Sequence, residues 1–146
     1  MAHLTEAAER IGHLDGVRLA AASAVYETEP VGELPDQRDF LNAVIQVEAE
    51  LRPLELLKAC KAIEREMGRV AGPRHGPRPI DIDLLMAAGE EVESAPLRLP
   101  HPEVKARRFV LVPLLELDPP DSAALRAALQ ALPPDQRVER VGALIP

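Results

Sequence analysis

The chain has 146 residues, enough for one domain, and a formal net charge of −7. That acidic balance argues against nucleic acid as the main partner, because duplex binding rests on a basic surface. A lone Cys60 excludes an internal disulfide framework, no apolar run is long enough to span a bilayer, and no charged-then-apolar leader opens the chain. A cytoplasmic location without membrane attachment is therefore expected. At 47% hydrophobic residues the chain can bury a core, yet it has no Trp, one Tyr and two Phe, so aliphatic packing must hold it.

Taken in chain order, Thr5 to about Leu14 reads as a helix with Ala7, Ala8, Ile11 and Leu14 on one face. Val17 to Thr28 reads as a strand, and Pro30 to Asp39 as a turn-rich loop. Phe40 to Leu51 is the clearest strand. Leu41, Ala43, Ile45, Val47, Ala49 and Leu51 alternate there with Asn42, Gln46, Glu48 and Glu50. Pro53 to Met67 reads as a helix opened by Pro53 and stopped by Gly68, with Leu56, Leu57, Cys60, Ile63 and Met67 as its apolar stripe. Residues 68–79 read as a loop and Ile80 to Ala87 as a strand. Arg107 to Leu117 reads either as strand then turn or as a short helix. Ser122 to Leu132 reads as a helix capped by Asp121 or Ser122 and stopped by Pro133 and Pro134. The order implies an α+β domain over residues 1–146, with helices packed on a mostly antiparallel sheet.

The stretch Gly76-Pro77-Arg78-Pro79-Ile80-Asp81-Ile82-Asp83-Leu84-Leu85 carries the strongest chemical signal. Strand alternation puts Asp81 and Asp83 on one face and Ile80, Ile82 and Leu84 on the other. Two like charges so close repel each other and lose solvation, and a divalent cation relieves both penalties. Magnesium accepts such carboxylates and usually shares itself with phosphate. Arg69, Arg74 and Arg78 lie just upstream, in a segment able to clamp phosphate oxygens and close over a nucleotide. The bland alternatives are an edge strand with two solvated carboxylates and solvated loop arginines. Asn42 and Phe40 share a strand face, where an amide and a ring can meet a heterocycle; a polar strand-start Asn is the competing reading. Glu64 sits at the margin of a buried helical stripe, and His101 is flanked by prolines as a turn histidine or a ligand.

These residues give the chain its resemblance to the 6-hydroxymethyl-7,8-dihydropterin pyrophosphokinases of folate biosynthesis. The matching stretches are Tyr26 to Gly32, Phe40-Leu41-Asn42-Ala43, Ile63 to Val70, Gly76 to Leu85, Leu99-Pro100-His101-Pro102 and Arg107 to Leu111, so the resemblance covers about residues 3–120. It implies a ferredoxin-like sandwich and the transfer of pyrophosphate from ATP to the pterin's hydroxymethyl group, giving AMP. It further implies that Asp81 and Asp83 hold two magnesium ions on the phosphates. Arg69 and Arg78 are implied as mobile-loop arginines that assist transfer, and Glu64, His101 and Arg107 as nucleotide contacts. Thr28, Val31, Phe40, Asn42 and Phe109 are implied as the pterin pocket. Asp83 is the candidate proton acceptor. A monomer acting on these two small molecules is expected.

The chain departs from the family pattern in places. The family's opening strand and Gly-Ser-Asn-Leu-Gly-like turn have no counterpart before the first helix, which Met1-Ala2-His3-Leu4 enters directly. In a ferredoxin-like sheet that leaves neighbouring strands short of partners, at about 1–3 kcal/mol for each backbone group left buried and unpaired. Ala71, His75 and Pro102 also replace residues common in the family. Two alternative functions stand beside the kinase. One is a truncated relative that binds pterin or nucleotide without turnover; the other is a ferredoxin-like RNA-binding domain, against which the sparse aromatics and acidic balance weigh.

Overall fold

The computed structural model describes residues 2–28, 40–70, 80–87, 91–94, 97–134 and 136–144, with the backbone alone at 69, 70 and 94. In chain order the elements are α1 (Ala2–Gly12), β1 (Val17–Ala22), β2 (Ala24–Thr28), β3 (Phe40–Asn42), β4 (Ile45–Ala49), α2 (Pro53–Val70), β5 (Val92–Ser94), β6 (Leu97–Leu99), a 3-10 turn (Val104–Ala106), α3 (Arg108–Glu116), α4 (Ser122–Ala131) and β7 (Val138–Ala143). The class is α+β, and the paired strands whose direction is defined are antiparallel. No helix among the described residues is long and apolar enough to cross a membrane.

The chain divides into two units. The first comprises Ala21–Gln46 and Glu103–Pro146, the second Ala2–Ala20 and Val47–Pro102. In the second unit α1 packs on α2. Ala7, Ala8 and Ile11 of α1 are buried, as are Leu56, Cys60, Ile63 and Met67 of α2, so both helices bury the faces that their 3.6-residue periodicity marks out. Gly16 turns the chain from α1 into β1 with φ +75°, a conformation that suits glycine, and its carbonyl accepts from the Glu50 N–H at 2.7 Å.

In the first unit α3 packs on β2, β3, β7 and α4, around the buried Val25, Leu111, Leu114 and Leu125. The last residue of α3, Glu116, accepts from the Ala24 N–H at 3.1 Å and from the Tyr26 hydroxyl at 2.8 Å. It does so beside the point between Val25 and Tyr26 where the β2–β7 register shifts. A carboxylate thus serves a backbone donor close to where the ladder is interrupted.

Several expectations are corrected. The run 17–28 is two strands, and so is the run beginning at Phe40; both break where Ser23 meets Val44. The Ser23 N–H donates to the Val44 carbonyl at 2.8 Å, and the Val44 N–H donates to Ser23 Oγ at 2.9 Å. At that point the pairing changes: β1 pairs with β4, whereas β2 lies between β3 and β7. Gly68 does not stop α2, which continues to Val70. A helical glycine costs only about 1 kcal/mol relative to alanine, too little to end a helix anchored by four buried apolar side chains. Of the two readings left open for residues 107–117 the helix is the one observed: α3 spans Arg108–Glu116 and accommodates the buried Pro113. Asp121 precedes α4 in the left-handed region without a side-chain cap, and Ser122 Oγ instead donates back to Asp118 Oδ1 at 3.0 Å. The β5–β6 hairpin and strand β7 had no counterpart in the expected order.

The expected strand Ile80 to Ala87 is also corrected: within this run only Ala87 makes a ladder bridge. The reason lies in α2. The Ile82 N–H donates to Glu64 Oε1, and the Ile82 carbonyl accepts from Lys61 Nζ at 2.8 Å. Two side chains of one helix take the hydrogen bonds that a strand partner would supply.

Candidate active site

Exposure alternates along the segment that Lys61 and Glu64 hold. Ile80 is buried, Asp81 is exposed, Ile82 is half-buried and Asp83 is exposed. The two carboxylates face solvent and Ile80 the interior, with Ile82 half-buried between them, as a period of two dictates. Lys61 Nζ reaches three oxygens: the Ile82 carbonyl, Glu64 Oε1 at 3.1 Å and Asp83 Oδ1 at 3.5 Å. Burial works against the charge on this ammonium, but the hydrogen bond to Glu64 and the negative charges of Glu64 and Asp83 prevail and lift its pKa above the ordinary lysine value. Lys61 is accordingly a standing positive charge.

Beside this cluster lies a cleft of about 580 Å³. Its cationic lining is Lys58, Lys61, Arg65 and Arg98, joined by His101 and by the carboxylate of Asp83. Leu54, Leu57, Leu84, Leu97 and Pro102 supply the apolar wall. On α2 the wall follows from helical spacing, since Leu54, Leu57, Lys58, Lys61 and Arg65 fall at steps of three and four on one face. This accounts for Leu57, which the stripe reading placed in the core but which is only half-buried. His101 is held through its backbone, whose N–H donates to the Leu85 carbonyl at 2.7 Å. A pocket with an apolar wall and concentrated positive charge, in a chain of net charge −7, suits an anion that also carries an apolar part.

The first unit holds a second constellation. Thr28 and Phe40 are cross-strand partners in the β2–β3 ladder, and Asn42 lies two residues along. Asn42 Nδ2 donates to the buried Thr28 Oγ1 at 2.9 Å. Phe40 is 54% exposed, an unusual position for one of only two phenylalanines. Phe109 stands in the first turn of α3, with the Arg107 guanidinium carbon 5.5 Å from its ring centroid. Arg107 also pairs with Glu103.

Residues 1–119 match the family model described as 7,8-dihydro-6-hydroxymethylpterin-pyrophosphokinase (HPPK). This chain belongs to the HPPK family. It is 44% identical over 143 residues to the 2-amino-4-hydroxy-6-hydroxymethyldihydropteridine pyrophosphokinase of Methylorubrum extorquens, covering 96% of this chain and 89% of that protein. It is 39% identical over 115 residues to the Bacillus subtilis protein of the same name, covering 79% of this chain and 68% of that one. Against the Haemophilus influenzae protein of that name it is 40% identical over 114 residues, covering 78% and 71%.

Within this HPPK chain the residues expected at the site divide as follows. Asp83 and His101 line the cleft of the second unit, and Asp81 is two residues from Asp83. Glu64 does not line it: 6% exposed, it turns inward to the Ile82 N–H and Lys61. Its place at the margin of the apolar stripe therefore marks a structural acceptor. Arg107 belongs to the first unit, with Thr28, Phe40, Asn42 and Phe109. Val31, Arg74 and Arg78 lie outside the described residues, as does the side chain of Arg69. Lys58, Lys61, Arg65 and Arg98 were missed by reading the sequence. On α2 the signal was available as basic residues at 58, 61 and 65, one and a half to two turns of a single face; for Arg98 none was, because the β5–β6 hairpin was not anticipated.

The donor set fits the magnesium that the family implies. Among the described residues no group of three or more His, Cys, Asp or Glu side chains is placed to hold a metal by protein ligands alone. Two exposed carboxylates beside a cationic cleft are what magnesium accepts when phosphate oxygens and water complete its shell. Asp81 and Asp83 would hold it.

Proposed function

We propose that this chain transfers pyrophosphate from ATP to the hydroxymethyl group of 6-hydroxymethyl-7,8-dihydropterin, releasing AMP, in folate biosynthesis. The observation that carries this reading is the exposed Asp81/Asp83 pair, of which Asp83 borders a cation-lined cleft, in a member of the HPPK family. The alcohol oxygen of the pterin attacks the β-phosphorus. A new O–P bond forms there, the bond from that phosphorus to the α,β-bridging oxygen breaks, and AMP leaves with the bridging oxygen. The alcohol proton departs, and Asp83 is the candidate to receive it.

Each group of side chains has a task. Lys58, Arg65, Arg98 and His101 offer N–H donors to phosphate oxygens, while Leu54, Leu57 and Pro102 offer apolar surface to the purine. Arg69 and Arg78 are assigned to the phosphates during transfer, and Arg107 to the nucleotide. Phe40 and Phe109 stack on the pterin and the Asn42 amide reads its edge, with Thr28 and Val31 completing the pocket. Magnesium, taken as two ions with the nucleotide, supplies neutralisation of phosphate charge. Positioning of two bound substrates accounts for much of the remaining rate enhancement. The chain is assigned to the cytoplasm, acting as a monomer on small molecules.

The test is product analysis by ³¹P NMR with ATP, magnesium and the pterin alcohol. AMP and a pterin pyrophosphate are expected in equal amounts, only when both magnesium and the alcohol are present. ADP as the product, or binding of both substrates without AMP, rejects the reading.

A further inference from the structure

Lys61 is positioned to do more than border the cleft. Its ammonium nitrogen lies 2.8 Å from the Ile82 carbonyl oxygen, 3.1 Å from Glu64 Oε1 and 3.5 Å from Asp83 Oδ1. Glu64 is buried and holds the N–H of the same Ile82 peptide. Lys61 and Glu64 therefore grip both polar groups of the one residue that separates Asp81 from Asp83. Two of the three Lys61 contacts are made inside this grip. The third is to a carboxylate whose side chain is 59% exposed and which stands on the cleft. It is the longest of the three and the most solvated, and so the weakest.

From this geometry we infer that Lys61 is the resident counter-ion of Asp83, and that it gives up this carboxylate when a divalent cation is taken up. The inference rests on the metal assignment made above for the Asp81/Asp83 pair. The physical reason is competition for one acceptor. A carboxylate oxygen 3.5 Å from an ammonium is partly neutralised already. A cation that arrives must outcompete that charge or share the oxygen with it, at like-charge repulsion. Lys61 does not have to leave the site to yield, because the Ile82 carbonyl and Glu64 keep it anchored. Lys61 is thus a positioning residue: it holds the carboxylate pair in place before the metal arrives, and its charge sets how tightly the metal is then bound.

The test is Mn²⁺ binding followed by electron paramagnetic resonance, with the metal alone and no nucleotide, so that phosphate contacts of the cationic cleft do not enter. Lys61→Gln removes the charge but keeps a donor for the Ile82 carbonyl, and should take Mn²⁺ about two- to fivefold more tightly than the unaltered chain, the range set by a partly exposed ion pair. Lys61→Arg keeps the charge and should show no such gain. Thermal melts establish that each variant is folded. In the unaltered chain the Lys61 ¹⁵Nζ resonance should shift as magnesium is added, a readout that needs no variant. Equal or weaker Mn²⁺ binding by folded Lys61→Gln, or a Nζ resonance indifferent to magnesium, overturns the inference. Either result leaves AMP formation by the unaltered chain as the separate test of the reaction.

Discussion

Asn42 and Thr28 are joined side chain to side chain across the β2–β3 ladder, the amide Nδ2 donating to the threonine hydroxyl at 2.9 Å. Thr28 is only 1% exposed, so its hydroxyl is a fixed acceptor, and the amide it engages is only half-buried. The pair turns a flexible amide into an oriented one: with one N–H held inward, the remaining amide groups keep a set direction.

Thr28→Val keeps the shape and removes the acceptor. It should raise KM for the pterin about five- to tenfold, a loss of about 1 kcal/mol, the worth of one hydrogen bond, while KM for ATP stays put. Steady-state kinetics with each substrate varied in turn separates the two. A parallel rise in both constants would show that Thr28 supports the fold and has no particular role at the pterin.

Asp81→Asn and Asp83→Asn remove charge at nearly constant volume. With the pair as the proposed metal ligands, each should lower kcat for AMP formation at least about a hundredfold, the loss of several kcal/mol of charge stabilisation. Stability should change by no more than about 1 kcal/mol, because both side chains are exposed and the Lys61–Asp83 contact is a solvated ion pair. Urea denaturation beside the rate assay checks both halves. Near-normal rates with magnesium in either variant would refute the metal assignment.

Much of this arrangement could be read in the chain, and its failures have physical causes. The Asp81/Asp83 alternation follows from a period of two, and the buried faces of α1 and α2 follow from a period of 3.6. The breaks at Ser23 and Val44 were hidden because a hydroxyl stands in for a main-chain carbonyl, and neither run interrupts its apolar pattern to announce it. Ile82 has the composition of a strand residue, yet its backbone partners are Lys61 and Glu64, some twenty positions earlier on a helix; a tertiary hydrogen bond leaves no local trace in composition. Gly68 is a proper stop signal outweighed by the packing of Met67 and Ile63. The cationic wall leaves no mark on the apolar periodicity of α2, because Lys58, Lys61 and Arg65 fall beside the stripe, where basic residues have the composition of an ordinary solvated face.

Glu64 should behave as a structural residue. Glu64→Ala leaves the Ile82 N–H without its acceptor and Lys61 without one partner, and should cost about 1–3 kcal/mol, whereas Glu64→Gln retains a carbonyl oxygen and should recover part of that loss. Urea midpoints at constant m-value measure the difference. If alanine and glutamine prove equally mild, the grip on the Ile82 peptide is not what holds the carboxylate segment.

Cys60 gives a pH-dependent prediction. Burial in the core pushes its thiol up to about 11 from an ordinary value of 9.0; the Lys61 charge pulls against this and the Glu64 charge adds to it. The folded chain therefore keeps the thiol proton over a range in which the unfolded chain has lost it. A pKa raised by folding contributes stability that is fully present below pH 9 and is lost as the pH climbs toward 11. The stability difference between the unaltered chain and Cys60→Ala should accordingly be constant from neutral pH to about 8.5 and then shrink, by at most about 1.4 kcal/mol per pH unit. Comparison with the variant cancels the lysines and the tyrosine that titrate in the same range. Native Cys60 should also react with a thiol reagent at pH 8 at least about a hundredfold more slowly than in urea, since a buried thiol is both undissociated and shielded. Rapid labelling of the folded protein, or a stability difference flat to pH 11, would place the thiol in contact with water and contradict its burial on the inward face of α2.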